Sequence, residues 1–265
     1  MRSLVRTDSR PVVLALQVFL LVGLVLLWQV ASGIGWIDPF FYSRPSAIWA
    51  ATVVWLNNGT IAKNFGITAW ECLASFVIGV LAGIIAGFVL GLSRFWARVL
   101  NPYVQILNAI PRLILAPIFI LIFGLGPNSK IALAVSLVFF IVFFNAYQGV
   151  REVDQNVLNN ARLLGAGRAE LVRHVYLPSA MTWILSSLHT SVGFAIAGAV
   201  VGEYLGSSSG IGYLISEAQG NFHADQVFAG MLVLVAFVVV VELFVTQLER
   251  RLLRWNPRTA DAQVA

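Results

Sequence analysis

Six long stretches of this sequence are free, or nearly free, of charged residues: 11–37, 72–93, 113–129, 131–150, 175–202 and 226–248. A helix needs about 20 apolar residues to cross a bilayer. The pattern therefore predicts an all-α membrane protein of about six transmembrane helices. Lys130 alone separates the third stretch from the fourth, and Glu242 alone interrupts the sixth. Residues 39–60 differ. They carry Phe40, Phe41, Tyr42, Trp49 and Trp55, but also Arg44, Pro45 and Asn57-Asn58-Gly59. That mixture predicts an interfacial segment with its aromatic rings at headgroup level.

The texture of the stretches separates packing from chemistry. Gly79, Gly83, Gly87 and Gly91 repeat every fourth residue and share one helix face. Such a face lets another helix approach closely in lipid. Pro111 and Pro117 bracket the start of the third stretch, and Gly124-Leu125-Gly126-Pro127 ends it. Proline removes a backbone hydrogen bond and bends a helix. Freed backbone groups at membrane depth are tolerated only against protein or a water-filled cavity. The third span is thus expected to line the centre of the protein, with a plain kink as the alternative. Glu71, Arg112, His189 and Glu242 lie at membrane depth, with Glu203 at the outer end of the fifth span. Ionisable groups there are costly and point to function. For Glu71 and Glu242, within about two turns of span ends, a structural pair is the plainer reading. Pro111, Arg112, Pro117, Glu203 and Glu71 are the residues expected along a translocation path.

Composition agrees with a lipid solvent. The chain is 59% hydrophobic and 11% charged, against about 25% charged for soluble domains, and its mean hydropathy is +0.85. The net charge of +5 follows from topology. Arg2, Arg6, Arg10, Arg94, Arg98, Arg151, Arg162, Arg168, Arg173, Arg250, Arg251, Arg254 and Arg258 fall on one side if both termini are cytoplasmic. The other side receives only Arg44, Lys63 and Lys130, and its last loop is expected to hold acids alone: Glu203, Glu217 and Asp225. That asymmetry satisfies the positive-inside rule, so nucleic-acid binding is not needed to explain the charge. The first apolar run is longer than the roughly 7–15 residues of a signal-peptide core, and it is read as a membrane anchor. Cys72, the single cysteine, excludes an internal disulfide and reads as a small buried hydrophobe.

The segment 151–177 is too long for a tight turn. Asp154 can cap a helix, and Leu158, Ala161 and Leu164 recur at helical spacing. Gly165-Ala166-Gly167 interrupts it. A second short helix over 168–175 would place Leu171, Val172 and Val175 on one face, and Pro178 suits the first turn of the next span. The result is a cytoplasmic helix–turn–helix with an apolar stripe and basic flanks. Taken alone, it fits a membrane-surface element as well.

Ala161, Gly165, Val175, Leu177 and Pro178 follow the spacing A-x3-G-x9-[IV]-x-L-P. This resembles the EAA loop of ATP-binding-cassette importer permeases, with Asn159-Asn160 in place of the usual Glu-Ala. The resemblance covers about residues 40–255 and is most specific for the nitrate/sulfonate/taurine-type permeases. It rests also on Pro45-Ser46, on Ile110-Pro111-Arg112-Leu113 leading to Phe123-Gly124-Leu125-Gly126, and on Gly202-Glu203-Tyr204-Leu205-Gly206 before Ser209-Gly210-Ile211-Gly212-Tyr213-Leu214. The run from Leu248 to Trp255 completes it. At position 71 the resemblance implies a basic residue, where this chain has Glu71.

The resemblance implies a type I importer transmembrane domain in a bacterial inner membrane. It divides the chain into an N-terminal helix with its outer interfacial segment (1–60), a permease core (61–255) and a cytoplasmic tail (256–265). It implies a homodimer, two ATPase subunits that bind ATP and magnesium, and a periplasmic or lipid-anchored solute-binding protein. Ala161, Arg162, Leu164, Gly165, Ala166, Gly167, Arg168, Val175, Leu177 and Pro178 would form the loop that couples to the ATPase, with Arg151 and Arg173 helping to orient it. The cargo would be a small solute, and Arg112 suggests an anion. The sequence itself has no G-x4-G-K-[ST] phosphate loop, no cofactor motif and no nucleophile–base cluster, so an enzyme is not expected. An ion- or proton-coupled transporter or channel using Glu71, Arg112 and Glu242 is the alternative, but no internal repeat supports it.

Overall fold

The computed structural model describes residues 10–252, and all regular elements among them are helices. Five helices are long and apolar enough to span a bilayer, and a sharply bent pair makes six. Arg2, Arg6, Arg254, Arg258 and the 256–265 tail lie outside the described residues.

Among the described residues the helices fall into two compact units, 10–61 with 215–233, and 62–214 with 234–252. The first unit holds α1 (Arg10–Gly33), α2 (Pro39–Tyr42) and α3 (Pro45–Asn57). Pro39 and Pro45 each start a helix, where the missing N–H is no loss. Asp38 caps α2 by accepting from the Phe40 N–H at 2.9 Å. Gln29 of α1 accepts from the Ser46 N–H at 3.0 Å, which ties α1 to the start of α3. Phe40, Phe41, Tyr42 and Trp49 are exposed, as an interfacial segment requires, but Trp55 is buried. Trp55 belongs to the buried face of α3, one turn on from Thr52 and two from Ile48.

The second unit is built on α4 (Thr60–Leu92), α7 (Pro127–Arg151) and α10 (Leu177–Leu205), with the inner part of α12 (Ala224–Leu252). The second span thus starts a dozen residues earlier than the charge-free run: α4 continues through Lys63 and Glu71. A Cβ on Gly79 would stand 2.7 Å from Val138 Cβ, on Gly83 2.9 Å from Val142 Cβ, and on Gly91 2.8 Å from Val150 Cβ. The glycine face is therefore the surface on which α4 meets α7. Across α7 the same device meets α10: a Cβ on Gly149 or Gly198 would lie 2.7 Å or 2.6 Å from the Cα of Ala180 or Ala134. On the other side of α4 and α10, Cys72 is buried with Val192, Ile196, Ala199 and Phe237.

The third span departs most from expectation. Residues 113–129 are not one helix. Helix α5 (Arg94–Ala109) and the run Arg112–Phe123 meet at 81°. That run is a short 3-10 turn, Arg112–Leu115, followed by α6 (Ala116–Phe123). Ile110 and Pro111 are extended between them, because the residue before a proline is driven out of the helical region. Gly124 then ends α6 at φ 78°, and Pro127 starts α7.

Candidate functional site

Helix α8 (Gln155–Leu163) begins at Asp154, whose carboxylate accepts from the Asn156 N–H at 2.7 Å. It stops at Gly165, which takes φ +91°, a conformation that favours glycine. The Ala166 N–H returns to the Ala161 carbonyl at 3.0 Å. Gly167 then starts α9 (Arg168–Leu171), and its N–H is held by the Glu170 carboxylate at 2.7 Å. The second helix of the loop is not separate from the fifth span. A π-helical turn, Val172–Tyr176, joins α9 to α10, so helix runs from Arg168 to Leu205 without a break. Such turns are frequent at functional sites.

Val153, Leu158 and Leu171 form a small core under the loop, with Ala161, Ala166 and Val175 packed on it. Leu164 was expected in the apolar stripe and is not there. It is the residue just past the end of α8, and it stands 89% exposed beside Leu163 at 85%. Arg162, Gly165, Gly167, Arg168, Leu177 and Pro178 are also exposed, and so are Asn159 and Asn160. The loop thus presents two bare leucines and four exposed arginines, Arg151, Arg162, Arg168 and Arg173, on a folded base.

A second site lies at the outer end of α10. Glu203, expected at the mouth of a span, is fully buried inside the helix. Its carboxylate accepts from the Thr68 hydroxyl at 2.7 Å and from the Gly212 N–H at 2.7 Å. Thr68 in turn accepts from the Ile211 N–H at 3.0 Å, and Asn64 accepts from the Gly210 N–H at 2.7 Å. Residues 206–212 are thereby fastened to α4. Gly210, at φ +105°, has Glu203 where a side chain would begin, and a Cβ on Gly212 would stand 2.8 Å from Glu203 Cβ. Glu71, one turn beyond Thr68 on α4, is buried on the same face. Lys130, also fully buried, donates to the carbonyls of Leu125 and Gly126 at the end of α6.

The third site is the break between α5 and α6. Arg112 Nη2 donates to Asn108 Oδ1 at 2.5 Å, and its guanidinium lies 4.3 Å from the Phe140 ring centroid on α7. Its Nε is buried and meets no acceptor. Among the described residues no carboxylate lies within 4.0 Å of this guanidinium. Pro111 and Pro117 are exposed on either side of it.

Residues 79–254 match the family described as the binding-protein-dependent transport system inner membrane component. The chain belongs to this family. This permease is 33% identical over 233 residues to the putative aliphatic sulfonates transport permease protein SsuC of Bacillus subtilis, covering 88% of this chain and 84% of that protein. It is 32% identical to its Escherichia coli namesake, covering 90% and 91%, and 30% identical to the taurine transport system permease protein TauC of Escherichia coli, covering 92% of each. The fold is that of a methionine transporter solved in inward-facing conformations, MetNI, at TM-score 0.58 and 18% identity over 75% of this chain and 97% of that one. A second, an amino acid ABC transporter with histidines, gives 0.60 at 18% identity, covering 76% and 96%.

Membership makes the permease a multi-span inner-membrane subunit of an ATP-driven importer, without catalytic activity of its own. A binding-protein-dependent system implies a partner ATPase and a binding protein. The acids singled out in the sequence lie in separate surroundings. Glu71 is with Glu203, whereas Glu242 is paired with His189 at 2.5 Å, Oε1 to Nε2. Arg112 joins neither. The Glu203 cluster was missed as a unit because its members lie up to 146 residues apart in sequence. The signal that could have found it was the recurrence of buried-type polar residues, Asn64, Thr68 and Glu71, at helical spacing on α4.

Proposed function

We propose that the permease carries a small anion of the sulfonate or taurine class through the inner membrane. It works as a homodimer with both termini cytoplasmic, and 151–177 is the loop that takes the stroke of the ATPase. The observation that carries the substrate class is similarity to two aliphatic sulfonate permeases and one taurine permease over at least 88% of this chain. Arg112 supports the anion: it is an ionic group at a helix break, with an aromatic ring on one side and no carboxylate to neutralise it. A charge at membrane depth costs at least about 2.5 kcal/mol, and a passing anion would offset that cost.

The loop's construction supports alternating access. ATP binding draws the ATPase subunits together. Leu163, Leu164, Arg162 and Arg168 ride on that motion, and the unbroken helix from Arg168 to Leu205 conveys it to the membrane core. The glycine faces of α4 and α10 allow helices to shift against α7 without side-chain collisions.

The test is reconstitution with the cognate ATPase and binding protein. Taurine and alkanesulfonates should drive ATP-dependent uptake, and nitrate, bicarbonate and a neutral heterocycle serve as competitors. Arg112→Ala should lower sulfonate uptake at least about tenfold, a loss of 1.4 kcal/mol. Unchanged sulfonate uptake in that variant removes Arg112 from the path, and uptake without ATP removes the importer mechanism.

A further inference from the structure

The cluster around Glu203 has an unequal supply of hydrogen-bond donors. Glu203 receives two, the Thr68 hydroxyl and the Gly212 N–H. Glu71, 1% exposed, has its Oε2 buried and met by no donor. An ionised carboxylate left in that state loses its hydration without replacement, one of the most expensive arrangements in a protein interior. Glu71 lies one turn beyond Thr68 on α4, and Thr68 donates to Glu203, so the two carboxyl groups share one buried face. Two ionised carboxylates cannot bond to each other there, because each is an acceptor only.

The charges point the same way. Lys130 is the one buried cation among the described residues, and its stem packs against Gly202, the neighbour of Glu203. The other ionisable neighbour is the Cys72 thiol, which carries no charge while protonated. Lys130 with two ionised glutamates leaves one uncompensated negative charge at membrane depth. With a single proton added, the cluster is neutral.

We propose that Glu71 and Glu203 hold one proton between them, seated on Glu71 and donated to Glu203, and that this proton completes the clasp fastening residues 206–212 to α4. Glu203 stays the anion, because it already serves two donors and stands nearest the backbone it holds. Glu71–H is the third donor to that carboxylate. It is a positioning residue. A lone basic side chain at position 71 could have faced Glu203 directly; here a proton fills that place.

Two measurements test this. In ester-free detergent at neutral pH, the infrared spectrum of the purified wild-type protein should contain a protonated-carboxyl C=O band, and Glu71→Gln should remove it. Glu71→Gln should also keep the thermal midpoint of the wild type, because its amide N–H donates where the proton did. Glu203→Gln should lower it, because its amide N–H would face one of the two donors, the Thr68 hydroxyl or the Gly212 N–H. Absence of the band in wild-type protein overturns the proposal, whether or not either variant folds. A band that survives Glu71→Gln overturns it too, and so does tolerance of Glu203→Gln with loss in Glu71→Gln, which would seat the proton on Glu203.

Discussion

Gly87 and Ala146 lie so close that a Cβ added at Gly87 would stand 2.8 Å from the Cβ of Ala146. No real pair of side chains sits at that distance, so α4 and α7 touch backbone to backbone here. Gly87→Val should therefore destabilise the protein by about 1–3 kcal/mol, the usual cost of forcing extra carbons into a packed site. Gly23→Val in α1, where nothing lies within 4 Å, is the control. Thermal unfolding in detergent compares them, and equal midpoints for the two variants would show that α4 and α7 are not in close contact.

Thr68 is both donor to Glu203 and acceptor from the Ile211 N–H. Thr68→Val keeps the shape and removes both bonds, stranding two buried groups, at about 1–3 kcal/mol each. Hydrogen exchange at Ile211 and Gly212 should accelerate, and Thr68→Ser should restore protection. Exchange unchanged in Thr68→Val would mean that 206–212 is held by something else.

Gly165 sits at φ +91° in an open position, so its requirement is conformational rather than spatial. Gly165→Ala should cost about 1–2 kcal/mol. Gly126→Ala, also open but at φ −77°, should cost less than half as much. A small penalty at 165 would show that the turn after α8 tolerates other backbone angles. Removing the cap with Asp154→Ala should cost about 1 kcal/mol, seen as faster exchange across α8 alone.

Leu163 and Leu164 are among the most exposed leucines described and support no part of the loop's own core. The double change to alanine should leave unfolding unaltered. As contacts for the ATPase, the pair should contribute more than 1.4 kcal/mol, so ATP-driven uptake and ATPase co-purification should fall about tenfold. Wild-type co-purification from the double variant would falsify their role in docking.

The solvent, the number of spans and the helix–turn–helix at 151–177 are legible in the residue order alone. Each is a local or additive property: a run of apolar residues, a sum of charges, a spacing of five residues along one segment. The glycine repeat on α4 was legible for the same reason, since helical periodicity alone puts those residues on one face. Features that depend on distant partners emerge only from the packed helices. Leu164 fits the apolar period of α8, yet the helix ends at Leu163 and the following glycine turns it outward. The third span reads as one apolar run over 113–129, yet Gly124 ends α6 and Pro127 starts α7 inside it, because hydrophobicity carries no information on direction. Glu71 and Glu203 look unrelated at 132 positions apart. They meet because the antiparallel packing of α4 and α10 brings an outer turn of each together, and the chemistry of one carboxyl then depends on the other.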